Sequence, residues 1–533
     1  MTEFVATNEL NRSIVQNDYH TAININKEKF LQGHPKASEE YIFENQKTDA
    51  HQIVSKFYTT SIRGISIIKR TKVGMDGLMI EIATKMSSHL DDNFMIHRNN
   101  IFIITAMNNL LWEIDLKDKV PNCFRENVYH HGKLQQLRGK LRNIKNALII
   151  IDEIDTGDKE DQKLHLLLKE SGILDMKYME DNNIRFIFVS ATMIQELKEL
   201  YKWGDKHDVF YMTIPPTYIG HEDFLERGII QEFYPIHDFQ SAEKWVQEDI
   251  LGHYGTDFRV HFVRTDERYK NFIFNACIKH KIVFHNHTSL DRITDDDFYK
   301  IFQNIQNHVV IAVKGLLRRS TLIPNMYKLR IGATHERYVR RHDTNVQVQG
   351  LPGRMTGYWR NVILSGHKTG PHRTSIKAIR EYEQYYKDPF GKFKYRTNCT
   401  KDVFVNPKCI ANMDEKEHAI ITELKKYRIY KDEKVTKSVC RKLGYEYRAT
   451  KDNKEGFKET SLNKKRAVVS LQEAISKVPT AYGNHDGDIT WRTYFPCYEN
   501  IHDKSTLRFV VIIRPETDPV KLQQVDTDFP VFT

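Results

Sequence analysis

The feature that most constrains the fold of this chain is a series of short, unbroken apolar runs. Four of them occur early in the chain, at Ile65–Ile68, Ile101–Thr105, Ala147–Ile151 and Arg185–Ser190. Polar stretches of helical composition, such as Gly77–Leu90 and Asp161–Glu170, separate these runs. Apolar runs without polar alternation are typical of parallel strands that are buried on both faces. Strands and helices in alternation predict a parallel sheet with helices on both sides.

A second series of apolar runs begins near Phe258 and ends near Gly357, with runs at Val260–Val263, Ile282–Phe284 and Val309–Val313. The chain has 533 residues, a length at which two or three domains are expected. The two series therefore predict an α/β protein with two parallel-sheet domains in tandem.

Changes in composition divide the whole chain into four stretches. We expect a polar, irregular N-terminal extension over 1–40, a first α/β domain over 41–220, a second over 221–380, and a linker with a small α+β module over 381–533. The linker prediction rests on Tyr382–Lys401, which is dense in Tyr, Lys, Gly and Pro. The module prediction rests on a helix-like segment, Glu415–Tyr427, and a strand-like one, Arg508–Ile513.

Two acids follow directly after one of the predicted strands. Asp152 and Glu153 come after Ala147–Ile151, and the carboxyl ends of parallel strands face the crevice where nucleotides bind. In phosphoryl transfer, such acids hold a magnesium ion and orient the attacking water, which would be the roles of Asp152 and Glu153. Alternatively, Asp152 and Glu153 are a solvent-exposed strand end without a role in nucleotide binding. The next apolar strand ends in Ser190, Ala191 and Thr192, and the ordered pair of motifs is more specific than either alone.

A third motif lies far downstream, at Val346–Tyr358. With the first two, it resembles superfamily 2 helicases, whose two RecA-like domains form a P-loop NTPase fold. The resemblance implies that Gln349 and Arg354 reach the triphosphate from the second domain, Arg354 as an arginine finger. It also implies that the Ser-Ala-Thr motif couples the nucleotide site to nucleic acid. The general pattern has a second arginine where this chain has Gly357.

The resemblance extends to the helicase-like ATPases of nucleocytoplasmic large DNA viruses, over about residues 40–365. The segments that carry it are Arg70–Gly77, Asn100–Ala106, Leu148–Glu153 and Gln349–Arg354. It implies a coupling position at Thr105 and an adenine-reading role for Gln46, although an exposed helical glutamine is the plainer interpretation of Gln46.

The phosphate-binding loop departs from the family pattern. The standard loop has the form G-x-x-x-x-G-K-[ST]. Here the lysine and hydroxyl positions are Met75 and Asp76, the first glycine position is Lys69, and Gly74 is retained. The nucleotide-binding positions carried over from the family are Thr71, Gly74, Met75, Asp76 and Gly77.

The loss of a cation and the gain of an anion about 4 Å from a phosphate each cost on the order of 4 kcal/mol at an effective dielectric near 20. We therefore expect a pseudo-ATPase that uses ATP and Mg²⁺ only if the degenerate site still binds them. Two alternatives stay open. Lys72 could supply the missing cation, or Asp76 could bind a metal ion together with Asp152.

The net charge of +10 favours polyanionic partners, chiefly DNA or RNA held by backbone contacts. Arg318 and Arg319 follow a predicted strand, where related helicases meet the nucleic-acid backbone; a solvated basic turn is the other interpretation. The six cysteines form no CxxC pair, which suits a reducing compartment. No signal core or membrane segment is written in the sequence.

The viral resemblance implies a location in the host cytoplasm, in a viral factory or in the virion, without secretion. It also implies replication, transcription or translation proteins of the virus as further partners. Two hypotheses follow. The chain is an inert helicase-like clamp or scaffold, or it is an active ATP-dependent DNA or RNA helicase with an eccentric phosphate loop.

Overall fold

The computed structural model describes residues 2–105, 107, 109–156, 163–288, 290–317, 323–340, 342–391, 393–396, 403–405, 427–444, 458–459, 470–471, 474–475, 492–500, 503–513, 517 and 519–529. The chain divides into two compact units, Met1–Tyr395 and Arg396–Thr533. Among the described residues, no helix has the length and apolar character needed to cross a bilayer.

The first sheet of the larger unit has six strands: β1 (Gly64–Ile68), β2 (Ile101–Thr105), β3 (Val128–Tyr129), β4 (Ala147–Asp152), β5 (Ile184–Ser190) and β6 (His207–Tyr211). All pairs are parallel, and the order is β3-β2-β4-β5-β1-β6. Strand β5 therefore separates the acid-bearing strand from the strand that leads into the phosphate loop, which is the arrangement of a RecA-like domain.

The second sheet also has six parallel strands: β7 (Ile230–Glu232), β8 (Val260–Arg264), β9 (Val283–His287), β10 (Val309–Val313), β11 (Ile331–His335) and β12 (His372–Thr374). Their order is β7-β12-β11-β8-β10-β9. The predicted fold class, two tandem RecA-like parallel-sheet domains, is confirmed. The sequence missed β7, β11 and β12, which are short or are interrupted by polar residues and histidines.

Helices cover both sheets. Around the first sheet they are α1 (Thr2–Leu31), α2 (Glu44–Thr59), α3 (Met75–Ser87), α4 (Leu110–Lys119), α5 (Leu134–Leu141), α6 (Lys163–Glu170), α7 (Met176–Asp181) and α8 (Gln195–Leu200). In the second half of the unit they are α9 (His221–Glu226), α10 (Phe239–Trp245), α11 (Glu267–Lys279), α12 (Asp295–Gln303), α13 (Asn325–Lys328), α14 (Thr344–Val348), α15 (Leu351–Met355), α16 (Arg360–Leu364) and α17 (Ile376–Lys387). A π-helical segment, Val246–Gly252, continues α10.

The N-terminal 40 residues were expected to be irregular, and this expectation is wrong. Helix α1 runs over 30 residues, and the side chain of Asn11 donates a 2.8 Å hydrogen bond to the carbonyl of Ser87, at the end of α3. Val15, also on α1, is fully buried. The sequence hides this helix because only a narrow stripe of a long polar segment is buried.

The predicted linker Tyr382–Lys401 is also wrong in its first part. Residues 382–387 are the second half of helix α17, in which Tyr382 and Tyr385 are fully buried. A short strand, β13 (Phe393–Tyr395), follows. The segment is rich in tyrosine and charged residues, which is a composition that linkers also have. Composition alone therefore did not show that its tyrosines are buried at helical spacing.

The smaller unit contains β14 (Val403–Val405), β15 (Tyr427–Tyr430), β16 (Lys458–Glu459), β17 (Arg492–Tyr498), β18 (Leu507–Ile512), α18 (Glu433–Lys442) and α19 (Pro519–Asp528). Strands β15 and β17 pair antiparallel with β18, and β16 pairs parallel with β17. The expected strand Arg508–Ile513 corresponds to β18. The expected helix Glu415–Tyr427 lies outside the described residues except for Tyr427, which begins β15.

Candidate functional site

The carboxyl ends of β1, β5 and β4 form one edge of the first sheet. Asp152 is the last residue of β4 and Ser190 is the last residue of β5. After β1, the phosphate loop, residues 69–74, turns at Gly74, whose φ of 80° lies in the left-handed region that glycine favours. Three motifs that are far apart in sequence therefore meet at one edge.

Lys69, the first residue of the phosphate loop, reaches the two acids. Its Nζ atom lies 3.3 Å from Oε1 of Glu153 and 3.6 Å from Oδ1 of Asp152. The lysine side chain is 11% exposed, and those of Asp152 and Glu153 are 7% and 6% exposed. Burial lowers the pKa of Lys69, but Asp152, Glu153 and Asp76 outweigh it and raise the pKa above its usual value. Lys69 is therefore a charged counter-ion for the acids.

Asp152 is held by two further donors. Trp112 Nε1 donates to Oδ2 at 2.9 Å, and the backbone N–H of Glu153 donates to Oδ1 at 3.0 Å. Burial raises the pKa of Asp152 to about 6; Lys69 opposes the rise, while Glu153 adds to it. Glu153 has a φ of 51°, a conformation that costs a residue with a side chain on the order of 1–3 kcal/mol. Two buried acids thus share one ammonium group in a strained turn.

Met75 and Asp76 occupy the lysine and hydroxyl positions of the standard loop. Met75 begins α3 and belongs to the apolar core of the first domain. Asp76 accepts a 2.5 Å hydrogen bond from Nζ of Lys119, the last residue of α4. Burial raises the pKa of Asp76, but Lys119 outweighs it and holds the pKa below its usual value. Asp76 therefore has a resident cation of its own.

Gln46 is buried and bound to the phosphate loop. Its Nε2 donates to the carbonyl of Gly74 at 2.5 Å, and its Oε1 accepts from the backbone N–H of Phe43 at 2.9 Å. A Cβ atom at Gly77 would lie 2.3 Å from Oε1 of Gln46, so the glycine makes room for the glutamine. The plainer interpretation, an exposed helical glutamine, is wrong, because tertiary contacts with the loop bury this side chain.

Hydroxyls of both domains contact the backbone of the phosphate loop directly. Thr71 accepts hydrogen bonds at its carbonyl from the hydroxyls of Tyr218, at 2.6 Å, and Thr356, at 3.0 Å. The hydroxyl of Tyr358 donates to the carbonyl of Val73 at 2.6 Å. The Thr71 side chain also lies 2.9 Å from the Thr356 hydroxyl. We call these contacts the loop clasp. Those of Thr356 and Tyr358 join the two domains at the loop, whereas Tyr218 belongs to the core of the first domain.

A second link joins the loop to helix α17. Both carboxylate oxygens of Glu383 lie 2.6 Å from Nη1 of Arg70. The guanidinium also lies 3.7 Å from the ring centroid of Tyr386, within the range of a cation–π contact. The loop is therefore held at Thr71 and Val73 by the loop clasp and at Arg70 by helix α17.

The Ser-Ala-Thr motif is linked to the second domain through Asp155. Ser190 and Thr192 donate from their hydroxyls to Asp155, at 2.9 and 2.8 Å. Gln349 Nε2 donates to the hydroxyl of Thr192 at 2.8 Å, and Asn345 Nδ2 donates to Asp155 at 3.4 Å. The predicted residues Ser190, Thr192 and Gln349 therefore belong to one hydrogen-bond network. Its centre is Asp155, to which the sequence analysis assigned no role.

The other predicted coupling residues have different surroundings. Ala191 is buried and lines the cleft between the domains. Thr105 ends β2, and its hydroxyl accepts from the backbone N–H of Met107 at 3.2 Å. Arg318 and Arg319 lie outside the described residues.

Arg354 lies on α15 and is buried in the wall of the cleft. The start of that helix is held by Glu336, whose Oε1 accepts from the backbone N–H of Leu351 at 2.5 Å. Lys72 and Lys328 line the same cleft. Burial, with a smaller contribution from Arg354, lowers the pKa of Lys328 to about 7 and that of Lys72 well below its usual value. The low pKa values favour the neutral amine in both lysines, so this part of the cleft carries less positive charge than its residue types suggest.

Sequence reasoning missed several of these residues. Lys69 and Asp155 lie inside motifs that the sequence shows, and their positions in those motifs could have marked them as site residues. Lys119, Lys328 and Glu383 carried no signal, because they come from elements remote in sequence.

The cleft has a volume of about 940 Å³ and is lined by Gly74, Asp152 and Arg354 among others. That size suits a nucleotide. A magnesium ion needs oxygen ligands at about 2.1 Å, but Lys69 already pairs with Asp152 and Glu153. Within the described part of the chain, no group of three or more His, Cys, Asp or Glu residues could hold a metal ion. The cleft is therefore large enough for a nucleotide, and the two acids that would hold its magnesium ion are paired with Lys69.

No protein-family model matches this chain, and no curated protein matches it in sequence. The chain is similar in structure to the DEAD-box helicase Mss116 bound to ssRNA and UDP-BeF, with 14% identity, 65% of this chain and 73% of that chain covered, and a TM-score of 0.41. It is also similar to S. cerevisiae Dbp5 bound to RNA and ADP BeF3 (11%, 72% and 97%, TM-score 0.36). A DEAD box protein from the hyperthermophile Methanococcus jannaschii is a third such structure (14%, 64% and 90%, TM-score 0.34). The RecA-like assignment rests on the strand order of the two sheets.

Proposed function

We propose that this chain is a helicase-like nucleic-acid clamp whose two RecA-like domains are held together by side chains instead of by a nucleotide that is turned over. In this proposal it is a pseudo-ATPase, and DNA or RNA binds through backbone contacts. The observation that carries the proposal is the loop clasp, in which Tyr218, Thr356 and Tyr358 bind the backbone of the phosphate loop.

The strength of the clasp can be estimated. Buried hydrogen bonds contribute about 1 kcal/mol each to stability. The two hydroxyl-to-carbonyl bonds that Thr356 and Tyr358 make to the loop and the bond from Gln349 to Thr192 are three bonds between the domains, or about 3 kcal/mol. Such a difference favours the joined domains by roughly a hundredfold over an arrangement without these bonds. In this proposal these bonds take over the part that a bridging triphosphate would play in holding the domains closed.

The nucleic-acid part of the proposal rests on the net charge of +10 and on Arg318 and Arg319. We expect fluorescence anisotropy with single-stranded DNA and RNA to show binding that weakens steeply with salt, because phosphate contacts release counter-ions. Replacing both arginines by alanine should lower the slope of log K against log salt by about 1 for each lost contact. An affinity for nucleic acid that does not change with salt concentration would favour a scaffold role with other proteins.

The alternative function is an ATP-dependent helicase, which the volume of the cleft and its wall of Lys72, Lys328 and Arg354 favour. An ATPase assay with and without nucleic acid separates the two. We expect no hydrolysis above background, and no effect of Asp152→Asn. Hydrolysis that nucleic acid stimulates and Asp152→Asn abolishes would establish the helicase.

The viral assignment belongs to the same proposal and rests on the motifs Arg70–Gly77 and Gln349–Arg354. It places the protein in the host cytoplasm, the viral factory or the virion, with replication, transcription or translation proteins of the virus as further partners. Fractionation of infected cells with an antibody against this chain tests the location.

A further inference from the structure

The acids at the end of β4 have a cation supplied by the chain itself. Lys69 Nζ lies 3.6 Å from Oδ1 of Asp152 and 3.3 Å from Oε1 of Glu153, and all three side chains are almost fully buried. The lysine comes from the loop position at which the standard pattern has a glycine. A glycine there has no side chain, so the pairing is a property of this sequence and not of the fold.

A metal ion at these acids would compete with contacts that already exist. Bound to Oδ1 of Asp152 on the side that faces Glu153, it would need the space that the ammonium of Lys69 occupies. The other oxygen of Asp152 accepts from Trp112 Nε1 at 2.9 Å. Asp76, the nearest further carboxylate, is engaged by Lys119 at 2.5 Å. Asp152 and Glu153 therefore share Lys69, and Asp76 pairs with Lys119.

We propose that Lys69 is the resident cation of this cleft and takes the place of the divalent metal ion at Asp152 and Glu153. Its Nζ lies within ion-pairing distance of both acids, at 3.6 Å from Asp152 and 3.3 Å from Glu153. The ammonium group then reduces the repulsion between the two acids without a metal ion. The inference rests on the geometry of the acids and not on nucleic-acid binding.

The test is a titration of the full-length protein with Mn²⁺, followed by electron paramagnetic resonance of the free ion. The wild-type protein should have no Mn²⁺ site that depends on Asp152, so the substitution Asp152→Asn should leave its Mn²⁺ binding unchanged. Lys69→Ala should gain one site per chain, at least about tenfold tighter than any binding to the wild type, and Asp152→Asn in the same background should abolish that site.

Three further variants make the test specific. Lys69→Met removes the charge but keeps the stem of the side chain, so it should gain the site even if Lys69→Ala folds poorly. Lys69→Arg keeps the charge and should gain nothing. Lys56→Ala, which removes a lysine paired with Asp208 on the outside of the first domain, is the matched control and should behave as wild type.

Two results would overturn the inference. One is a wild-type Mn²⁺ site that depends on Asp152. The other is a folded Lys69→Ala or Lys69→Met protein that gains no site. Because neither readout involves nucleic acid, a failure here is distinguishable from a failure of the proposed clamp.

Discussion

Arg70 of the phosphate loop and Glu383 of helix α17 form a buried ion pair, with both carboxylate oxygens 2.6 Å from Nη1. Their side chains are 11% and 8% exposed. Burial raises the pKa of Glu383, and Arg70 opposes that rise. A helix that ends the second domain is thereby tied to the loop of the first.

Removing one partner of this pair should be strongly destabilising, because it leaves the other charge buried. We expect Glu383→Gln to lower the free energy of unfolding by about 3 kcal/mol, measured by urea denaturation. The matched control is Glu44→Gln, since Glu44 pairs with Lys47 at the surface, where such pairs contribute about 0–1 kcal/mol. Equal effects of the two variants would contradict a structural role for the Arg70 pair.

The loop clasp predicts that two hydroxyls hold the domains together. The double variant Thr356→Val with Tyr358→Phe removes three polar contacts with the loop while nearly preserving volume. We expect a larger radius of gyration by small-angle X-ray scattering and weaker binding of nucleic acid. The control is Tyr41→Phe, which removes a hydroxyl bond to Lys119 within the first domain. An unchanged radius of gyration in the double variant would contradict the clasp.

Gly77 and Gln46 should be coupled in a double-mutant cycle. Gly77→Ala places a Cβ atom 2.3 Å from Oε1 of Gln46, so we expect a loss of about 1–3 kcal/mol in the wild-type background. In a Gln46→Ala background the clash is absent, and Gly77→Ala should then stabilise helix α3 by up to about 1 kcal/mol. Denaturation of the four proteins measures the coupling, and additive effects would show that the two residues do not touch.

Three buried histidines predict instability in acid. Burial lowers the pKa of His221, His335 and His372 to about 3. Because these folded-state values lie below the ordinary value of 6.5, their contribution to stability is complete above about pH 6.5 and is lost as pH falls towards 3. Each contributes a slope of about 1.4 kcal/mol per pH unit in that window.

Replacing one of these histidines tests the slope. His372→Gln removes one titrating group, so unfolding free energies measured between pH 6.5 and 4.5 should fall less steeply than in the wild type by about 1.4 kcal/mol per pH unit. The exposed His237 provides the control, and His237→Gln should leave the slope unchanged. A wild-type slope that His372→Gln does not reduce would show that this group is not neutral in the folded protein.

The sequence by itself determined the α/β class, because apolar strands without alternation can be buried only in a sheet covered on both faces. It also determined that Asp152 and Ser190 lie at one edge, since parallel strands place their carboxyl ends together. The sequence also showed that Met75 and Asp76 replace the lysine and the hydroxyl residue of the loop, because a motif fixes positions along the chain.

Only the tertiary structure decided which side chains fill the site that the motifs outline. Lys119 meets Asp76, Tyr358 meets the carbonyl of Val73, and Glu383 meets Arg70 across the boundary between domains. Such pairings depend on the packing of elements that are remote in sequence, and no local pattern encodes them. Even Lys69, whose position was known, became a counter-ion only when the fold brought the end of β4 within reach of its ammonium group.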